Sequence, residues 1–188
     1  GAEVVAPSAL SYKTGDMTVR VAHYQHGDLL QGGTTIEGQF ENLIDMREKP
    51  LACLTAAGRA IRNSPGILSD LSSVLADADI NVDAVASGMD SVSFYVDEEA
   101  AERAENVLHQ AVIDLAELSS VTVDDDIAVI RITGGELPNQ SGILQEIIAP
   151  IAAEHINIQD LITSATSIAV FLDWDDRERA LEIIQDAV

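Results

Sequence analysis

The chain contains few of the residues that build disulfides or aromatic clusters. Its 188 residues include one cysteine, three phenylalanines, three tyrosines and one tryptophan. A single cysteine excludes an intrachain disulfide and is typical of a protein from a reducing, cytoplasmic compartment. Because Cys53 lies within the apolar run Leu51–Leu54, we expect it to be a small buried side chain rather than a nucleophile.

Basic residues are also scarce. Lysine and arginine together number 10, against 32 acidic residues, which gives a net charge of −22. Nucleic acids and anionic membranes bind through basic patches, so this charge excludes both as partners. Nor does any apolar run approach the about 20 residues of a membrane-spanning helix.

Two explanations of the acidity are open. The charges are either a solubility device in a high-salt cytoplasm, where salt screens their repulsion, or a surface for cationic partners. Acidic residues are spread along the whole chain, and Lys13 and Lys49 are the two lysines. This distribution favours adaptation to salt.

No pattern typical of a catalytic or metal site occurs in the sequence. The histidines lack the spacing of a zinc site, and no serine lies in a nucleophile motif. Gly27–Gly33 lacks the strand–turn–helix setting of a phosphate-binding loop. The acidic run 124–126 lacks the spacing of a calcium loop and is interpreted as a solvated linker between two strands. We therefore assign no catalytic and no metal-binding residue.

The sequence repeats itself. Residues 52–112 align without a gap over residues 128–188, at the constant offset of 76 that separates Gly66 from Gly142, and 16 of the 61 pairs are identical. The match is strongest in the blocks Asn63–Leu68 and Asn139–Leu144, and again where Ile80-Asn-Val82 aligns with Ile156-Asn-Ile158. A repeat of this length indicates a duplicated domain, since solenoid units are shorter.

Each copy has the periodicity of strand, helix, strand, strand, helix. In the first copy we predict strands at 51–57, 82–87, 91–96 and 121–123, with helices after Gly66 and over 97–115. In the second copy we predict strands at 127–133, 158–163 and 167–172, with helices over 142–153 and 175–187. The order βαββαβ is that of an α+β, ferredoxin-like domain.

The second copy lacks a fourth strand after its last helix. An unfilled sheet edge is a site for aggregation, and the apolar segment Asn42–Met46 is a spare strand. We predict that this segment fills the edge. The first domain would then comprise residues 51–123, and it would be inserted into a second domain of residues 41–50 and 124–188.

The motifs Asn63–Leu68 and Ile80–Asp83, with their second-copy partners, resemble ACT domains, the amino-acid-binding regulatory modules of biosynthetic enzymes. A first copy inserted into a terminal second copy resembles aspartate kinases in particular. Residues 1–9 resemble a late helix of that kinase domain, and Val19–Val21 and Gly33–Ile36 resemble its closing strands. The resemblance implies that residues 1–40 are the C-terminal remnant of an amino-acid kinase domain.

The resemblance implies a regulatory role. It predicts feedback inhibition of aspartate phosphorylation by lysine or threonine, a homodimer formed through ACT domains, and a kinase domain as partner. ATP and magnesium would serve the parent kinase, whereas this chain lacks the phosphate motif and would need no cofactor. A free-standing amino-acid sensor and a ligand-free interaction module are the alternatives.

The candidate effector site is a turn that leads into a helix. Such a turn offers backbone N–H groups to a carboxylate, and glycine lets a ligand approach the backbone. The predicted residues of the turns are Asn63, Ser64, Pro65, Gly66, Ile67 and Leu68 in the first copy, and Asn139, Gln140, Ser141, Gly142 and Ile143 in the second. The alternative is that these turns are ordinary helix starts that bind nothing.

An amino-acid ligand also carries an ammonium group that needs acceptors. By family position these would be Asp83, Ser87 and Ser91 in the first copy. Gln159 and Thr163 are their counterparts in the second copy. Because Gln159 replaces the acid, the first copy is predicted to be the better site for a cation.

Overall fold

The computed structural model describes residues 18–22, 33–36, 42–134, 141–164 and 166–188. These fall into two compact units. The first-copy unit consists of residues 47–129 and 171–177, and the second-copy unit consists of the described residues up to Met46 with 130–170 and 178–188. The predicted kinase helix at residues 1–9 lies outside the described residues.

Nine strands and four α-helices are described. The strands are β1 (Val19–Val21), β2 (Thr34–Ile36), β3 (Leu43–Met46), β4 (Leu51–Ala57), β5 (Val82–Ser87), β6 (Ser91–Asp97), β7 (Ser120–Thr133), β8 (Ile158–Thr163) and β9 (Ser167–Asp173). The helices are α1 (Ile67–Asp77), α2 (Ala101–Asp114), α3 (Ile143–Ala153) and α4 (Arg177–Ala187). The mixture confirms the α+β prediction.

The first-copy unit has the strand order β5-β6-β4-β7, which is that of a ferredoxin-like sheet. Alternate residues of β4 and β6 point to one face, where Leu54 lies opposite Phe94 and both are buried. The buried face of α1 and the apolar side of α2 complete this core. The apolar residues repeat at helical spacing in both helices, as predicted from the sequence.

Helix α1 ends in a Schellman motif. Asp79 adopts a φ of 53°, the Asp79 N–H donates to the Ala76 carbonyl, and the Ile80 N–H donates to the Leu75 carbonyl. Helix α3 ends with the same pair of bonds, and His155 has a φ of 60°. The helices therefore end at residues with left-handed backbone angles, although neither copy has glycine there.

The second-copy unit has the strand order β8-β9-β7, with β3 paired to β7. Strand β3 runs antiparallel to the end of β7, with Leu43 opposite Thr133 and Met46 opposite Ile130. The position of β3 is that of the fourth strand of a ferredoxin-like sheet. This pairing confirms the prediction that the segment before the first copy completes the second.

Strand β7 corrects the prediction of a linker at residues 124–126. The two predicted strands are one strand of 14 residues, in which the three aspartates are exposed. The pairing of β4 with β7 shifts between Leu51 and Cys53, and Asp126 has a φ of 56°. The chain therefore passes the acidic run through a β-bulge rather than a loop, while the predicted exposure to solvent is confirmed.

The helices that follow β6 and β9 begin later than predicted. Glu98–Ala100 and Trp174–Asp176 are 3-10 turns, so α2 begins at Ala101 and α4 at Arg177. Both turns contain acidic residues, which are favourable at the positive end of a helix dipole and produced the early prediction. Elsewhere, β1 and β2 form an antiparallel pair at the positions predicted to be strands.

Candidate functional site

The turn before α1 has the backbone that the sequence predicts for a carboxylate seat. Gly66 is the N-cap with a φ of 98°, and no side chain caps the helix. A Cβ at Gly66 would meet no atom within 4 Å, so the turn opens to space. Ser64 Oγ donates to the Ala60 carbonyl at 3.0 Å, which holds the hydroxyl back from capping α1. No side chain therefore caps the first-turn N–H groups, although the Ile67 N–H donates to the Ser64 carbonyl at 3.5 Å.

The turn before α3 repeats this geometry. Gly142 has a φ of 97°, no side chain caps the helix, and a Cβ would again meet nothing within 4 Å. Leu68 and Leu144 hold equivalent positions in the two copies, and 44% and 39% of their surfaces are exposed. Asn139 and Gln140 lie outside the described residues.

Two predicted site residues belong to the core instead. Ile67 and Ile143 begin α1 and α3, and their side chains are only 8% and 6% exposed. They keep the period of the buried helix faces, with Leu71 and Ile147 one turn later. Their side chains are therefore not available to a ligand.

Ser87 and Ser91 lie at the same end of the first-copy sheet as the turn. The two residues flank the β5–β6 hairpin, which the Gly88 N–H closes by donating to the Ser91 carbonyl at 2.8 Å. The Gly58 N–H, at the end of β4, donates to the Asp90 carbonyl at 2.8 Å. The chain therefore leaves β4 toward the turn beside this hairpin.

Asp83 does not join these residues. It lies near the start of β5, where Val82 pairs with Val96, whereas Ser87 pairs with Val92. The step of four residues from Val92 to Val96 separates the two ends of the sheet by about 13 Å. Asp83 also accepts a hydrogen bond from Arg47 Nη2 at 3.5 Å within an ion pair. The structure therefore does not place its carboxylate beside the first-copy turn.

The second copy shows a similar separation. Gln159 is near the start of β8 and Thr163 is at its end, and both are exposed. Beyond Thr163, the hydroxyls of Ser164 and Ser167 are 2.7 Å apart, and the Ser164 hydroxyl also accepts from the Ser167 N–H at 3.0 Å. Polar groups therefore collect at the hairpin end, without Gln159.

Cys53 is buried, as predicted, with 7% of its surface exposed. Burial raises the pKa of its thiol, and hydrogen bonds from the neighbouring hydroxyls, Thr55 first, only partly offset that rise. A thiol with a raised pKa has little thiolate at neutral pH and is a poor nucleophile. Cys53 is therefore a packing residue.

The described residues also bear on cofactors and membranes. Within them, no three His, Cys, Asp or Glu side chains lie close enough together to hold a metal ion. The same part of the chain has no helix of the length and apolarity that crossing a membrane requires. The groups that the turns at Gly66 and Gly142 offer to a ligand are backbone N–H donors, nearby hydroxyls and exposed leucine side chains.

Comparison with protein families identifies both copies. Residues 54–112 match one family model described as an ACT domain, and residues 122–186 match another with the same description. The two matched segments overlap the two repeats, residues 52–112 and 128–188.

Curated relatives of the chain are aspartokinases. The aspartokinase of Corynebacterium glutamicum is 25% identical over 170 residues, covering 82% of this chain and 39% of the relative. That of Helicobacter pylori is 26% identical over 129 residues, covering 66% of this chain and 31% of the relative. The chain thus spans about a third of the length of these relatives.

Solved structures share the fold. The structure of aspartokinase alpha and beta subunits is 24% identical with a TM-score of 0.67, covering 80% of this chain and 98% of that one. The regulatory subunit of aspartate kinase from Thermus thermophilus is 23% identical with a TM-score of 0.67, covering 77% and 95%. The chain therefore belongs to the ACT-domain family and has the tandem architecture of the aspartate kinase regulatory region.

Proposed function

We propose that this chain is the regulatory portion of an aspartate kinase and that it binds a free amino acid, lysine or threonine, as a feedback inhibitor. The observation that carries the proposal is the duplicated turn. In both copies a glycine with φ near 98° precedes an uncapped helix, and an exposed leucine follows within the first turn. Backbone donors and an apolar contact are what an amino acid's carboxylate and side chain need.

Each turn would receive the ligand in the same way. The N–H groups at the start of α1 or α3 would donate to the α-carboxylate, and the side chain of Leu68 or Leu144 would cover the ligand. Hydroxyls at the hairpin end, Ser87 and Ser91 or Thr163, would accept from the ammonium group. Asp83 drops out of this arrangement because Arg47 already holds it.

Regulation follows if the effector binds one arrangement of the ACT domains more tightly than another. Such a difference in affinity biases a distant kinase site, and coupling of this kind amounts to about 1–3 kcal/mol. We further propose that the domains associate as a homodimer and that residues 1–40 are the end of the kinase domain. ATP and magnesium belong to that domain, where the aspartate would be phosphorylated.

A thermal-shift screen of the twenty amino acids in molar KCl tests the proposal, followed by calorimetry on any that stabilise the fold. A ligand present at 100 times its Kd stabilises a protein by about 2.7 kcal/mol, which such a screen detects readily. We expect lysine or threonine to raise the melting temperature and the others to have little effect. If none of the twenty does so while the protein remains folded, the chain is not an amino-acid sensor.

A further inference from the structure

Arg47 holds the connector through which the chain passes from β3 to β4, residues 47–50. Its Nη2 donates to Asp97 Oδ1 at 3.0 Å and to Asp83 Oδ2 at 3.5 Å. Its Nη1 donates to the carbonyls of Lys49 at 3.3 Å and Pro50 at 3.4 Å. One guanidinium therefore binds two carbonyls of the connector and two carboxylates, one on β5 and one on β6. We call this set of contacts the Arg47 clamp.

A β-bulge brings Asp83 to the clamp. The pairing of β5 with β6 shifts between Val82 and Ala84, so Asp83 is the extra residue of the bulge. Bulges redirect a side chain away from the regular alternation of a strand. Asp97 approaches from the end of β6, where it lies opposite Leu51, the first residue of β4.

The clamp also neutralises a pair of like charges. Asp83 and Asp97 contact the same nitrogen, so without the guanidinium two carboxylates would face each other at close range. The side chains of Arg47 and Asp83 are 26% and 29% exposed, and that of Asp97 is 46% exposed. By contrast, the Lys49–Glu99 pair on the same connector is 64% and 79% exposed, and pairs so exposed contribute little.

Space lies beside the connector. A cavity of about 360 Å³ is bordered by Lys49, Pro50, Asp97, Glu98 and Glu99. Partial burial raises the pKa of Glu98 at this border, and the charges of Asp126 and Asp125 raise it further. The connector therefore has open space on one side, and the contacts of the clamp hold it against the sheet.

We propose that the Arg47 clamp is a charge-controlled fastening that keeps the connector on the sheet of the first ACT domain. Loss of the guanidinium frees the connector from this sheet. The regulatory consequence, which rests on the proposed function, is that a freed connector transmits effector binding less well to the part of the protein that precedes β3.

Hydrogen exchange of the whole chain tests the clamp directly. Two amides report on the connector: the residue-47 N–H, which donates to the Val129 carbonyl, and the Glu98 N–H, which donates to the Pro50 carbonyl. In Arg47→Gln we expect both to exchange at least tenfold faster, while amides in the middle of α2 stay protected. The matched control, Lys49→Gln, should stay within twofold of the wild type. Exchange within twofold in Arg47→Gln as well would overturn the clamp.

A second substitution separates a clamp from a general loss of packing. In Arg47→Gln with Asp83→Asn, the repulsion between the two carboxylates is removed. The double variant should therefore exchange more slowly at both amides than Arg47→Gln alone. Faster exchange in the double variant than in the single one would contradict the electrostatic origin.

The regulatory consequence is tested in a full-length aspartate kinase that contains this region. Arg47→Gln should raise the effector concentration for half-inhibition at least fivefold, while the affinity measured by calorimetry on this chain changes less than twofold. Unchanged inhibition would overturn the regulatory consequence. If the chain binds no amino acid, the proposed function fails. The exchange experiment still tests whether Arg47 holds the connector on the sheet.

Discussion

At the scale of single residues, three glycines allow backbone conformations that other residues would strain, and Cys53 makes the stability depend on pH. Gly66 and Gly142 supply a backbone angle that other residues rarely adopt, in a place with room for a side chain. Gly58 is required for the opposite reason, because a Cβ there would lie 2.0 Å from the Glu117 carbonyl oxygen. The sequence suggests a turn at each glycine, but only the structure separates these two causes.

We predict that the two kinds of glycine respond differently to alanine. Gly66→Ala should lower the free energy of unfolding by about 1–2 kcal/mol, through backbone strain alone. Gly58→Ala should lower it by about 3 kcal/mol, because the backbone at Glu117 must move. Urea unfolding of both variants measures the difference. Equal losses at Gly58 and Gly66 would mean that the close approach at Gly58 is not a constraint.

Cys53 gives the stability a dependence on pH. The folded thiol has a pKa above the ordinary 9.0, so at higher pH the unfolded chain loses this proton first and the folded state binds more protons. The unfolding free energy therefore falls as the pH rises above about 9.

The matched variant for this effect is Cys53→Val, because valine occupies the equivalent position, 129. Between pH 9 and 10.5 the wild type should lose stability more steeply than the variant, as measured by urea unfolding at each pH. Parallel curves would show that the thiol contributes nothing to the dependence on pH.

At the scale of elements, the sequence predicts the bounds of several strands, and the helix ends and strand β3 give testable predictions. The alternation and helical spacing of apolar residues predicted β4, β5 and β8 with the bounds that the structure has. The long strand β7 was not predictable, because three consecutive aspartates are typical of a loop. They are tolerated since the bulge at Asp126 leaves them exposed.

We predict that glycine at the C-terminal ends of α1 and α3 increases the stability of the protein. Asp79 and His155 hold left-handed backbone angles, which cost non-glycine residues energy, and the Schellman bonds around them are already formed. Asp79→Gly and His155→Gly should each raise the unfolding free energy by about 0.5–1 kcal/mol in a denaturant titration. Ala76→Gly inside α1 is the control and should lower it by about 1 kcal/mol. Destabilisation by the two C-terminal glycines would refute the strain at these positions.

Strand β3 is predicted to be essential to the second copy. A chain beginning at Arg47 leaves the β7 edge at residues 130–133 unpaired, and exposed edges associate. Sedimentation should show this truncated chain to aggregate, whereas a chain that begins at Asn42 should behave like the intact one. A well-behaved chain without β3 would show that the strand is dispensable.

At the scale of the whole molecule, the duplication and the acidity were visible in the sequence, and the assembly of the site was not. The turns at Gly66 and Gly142 followed from local pattern, and their geometry is as predicted. The ion pair of Asp83 with Arg47 was not predictable, because Arg47 is 36 residues away and meets Asp83 only through the sheet and its bulge. The spacing of residues along the sequence does not predict a contact between residues so far apart.

The net charge of −22 leads to a prediction on salt. If the acidity is an adaptation to high salt, screening of the repulsion should stabilise the fold as KCl rises from 0.1 M to 2 M. Melting curves across that range should shift upward by several degrees. A melting temperature that falls with KCl would favour the other explanation, a surface for cationic partners.

The central claim is that the duplicated turns receive an amino acid. An amide NMR titration with the amino acid that stabilises the chain tests it most directly. We predict shifts concentrated in the first turns of α1 and α3, at residues 66–70 or 142–146, with little change at the far end of the sheet around Ala52 and Val96. Shifts confined to that far end, or none at saturating ligand, would contradict the account.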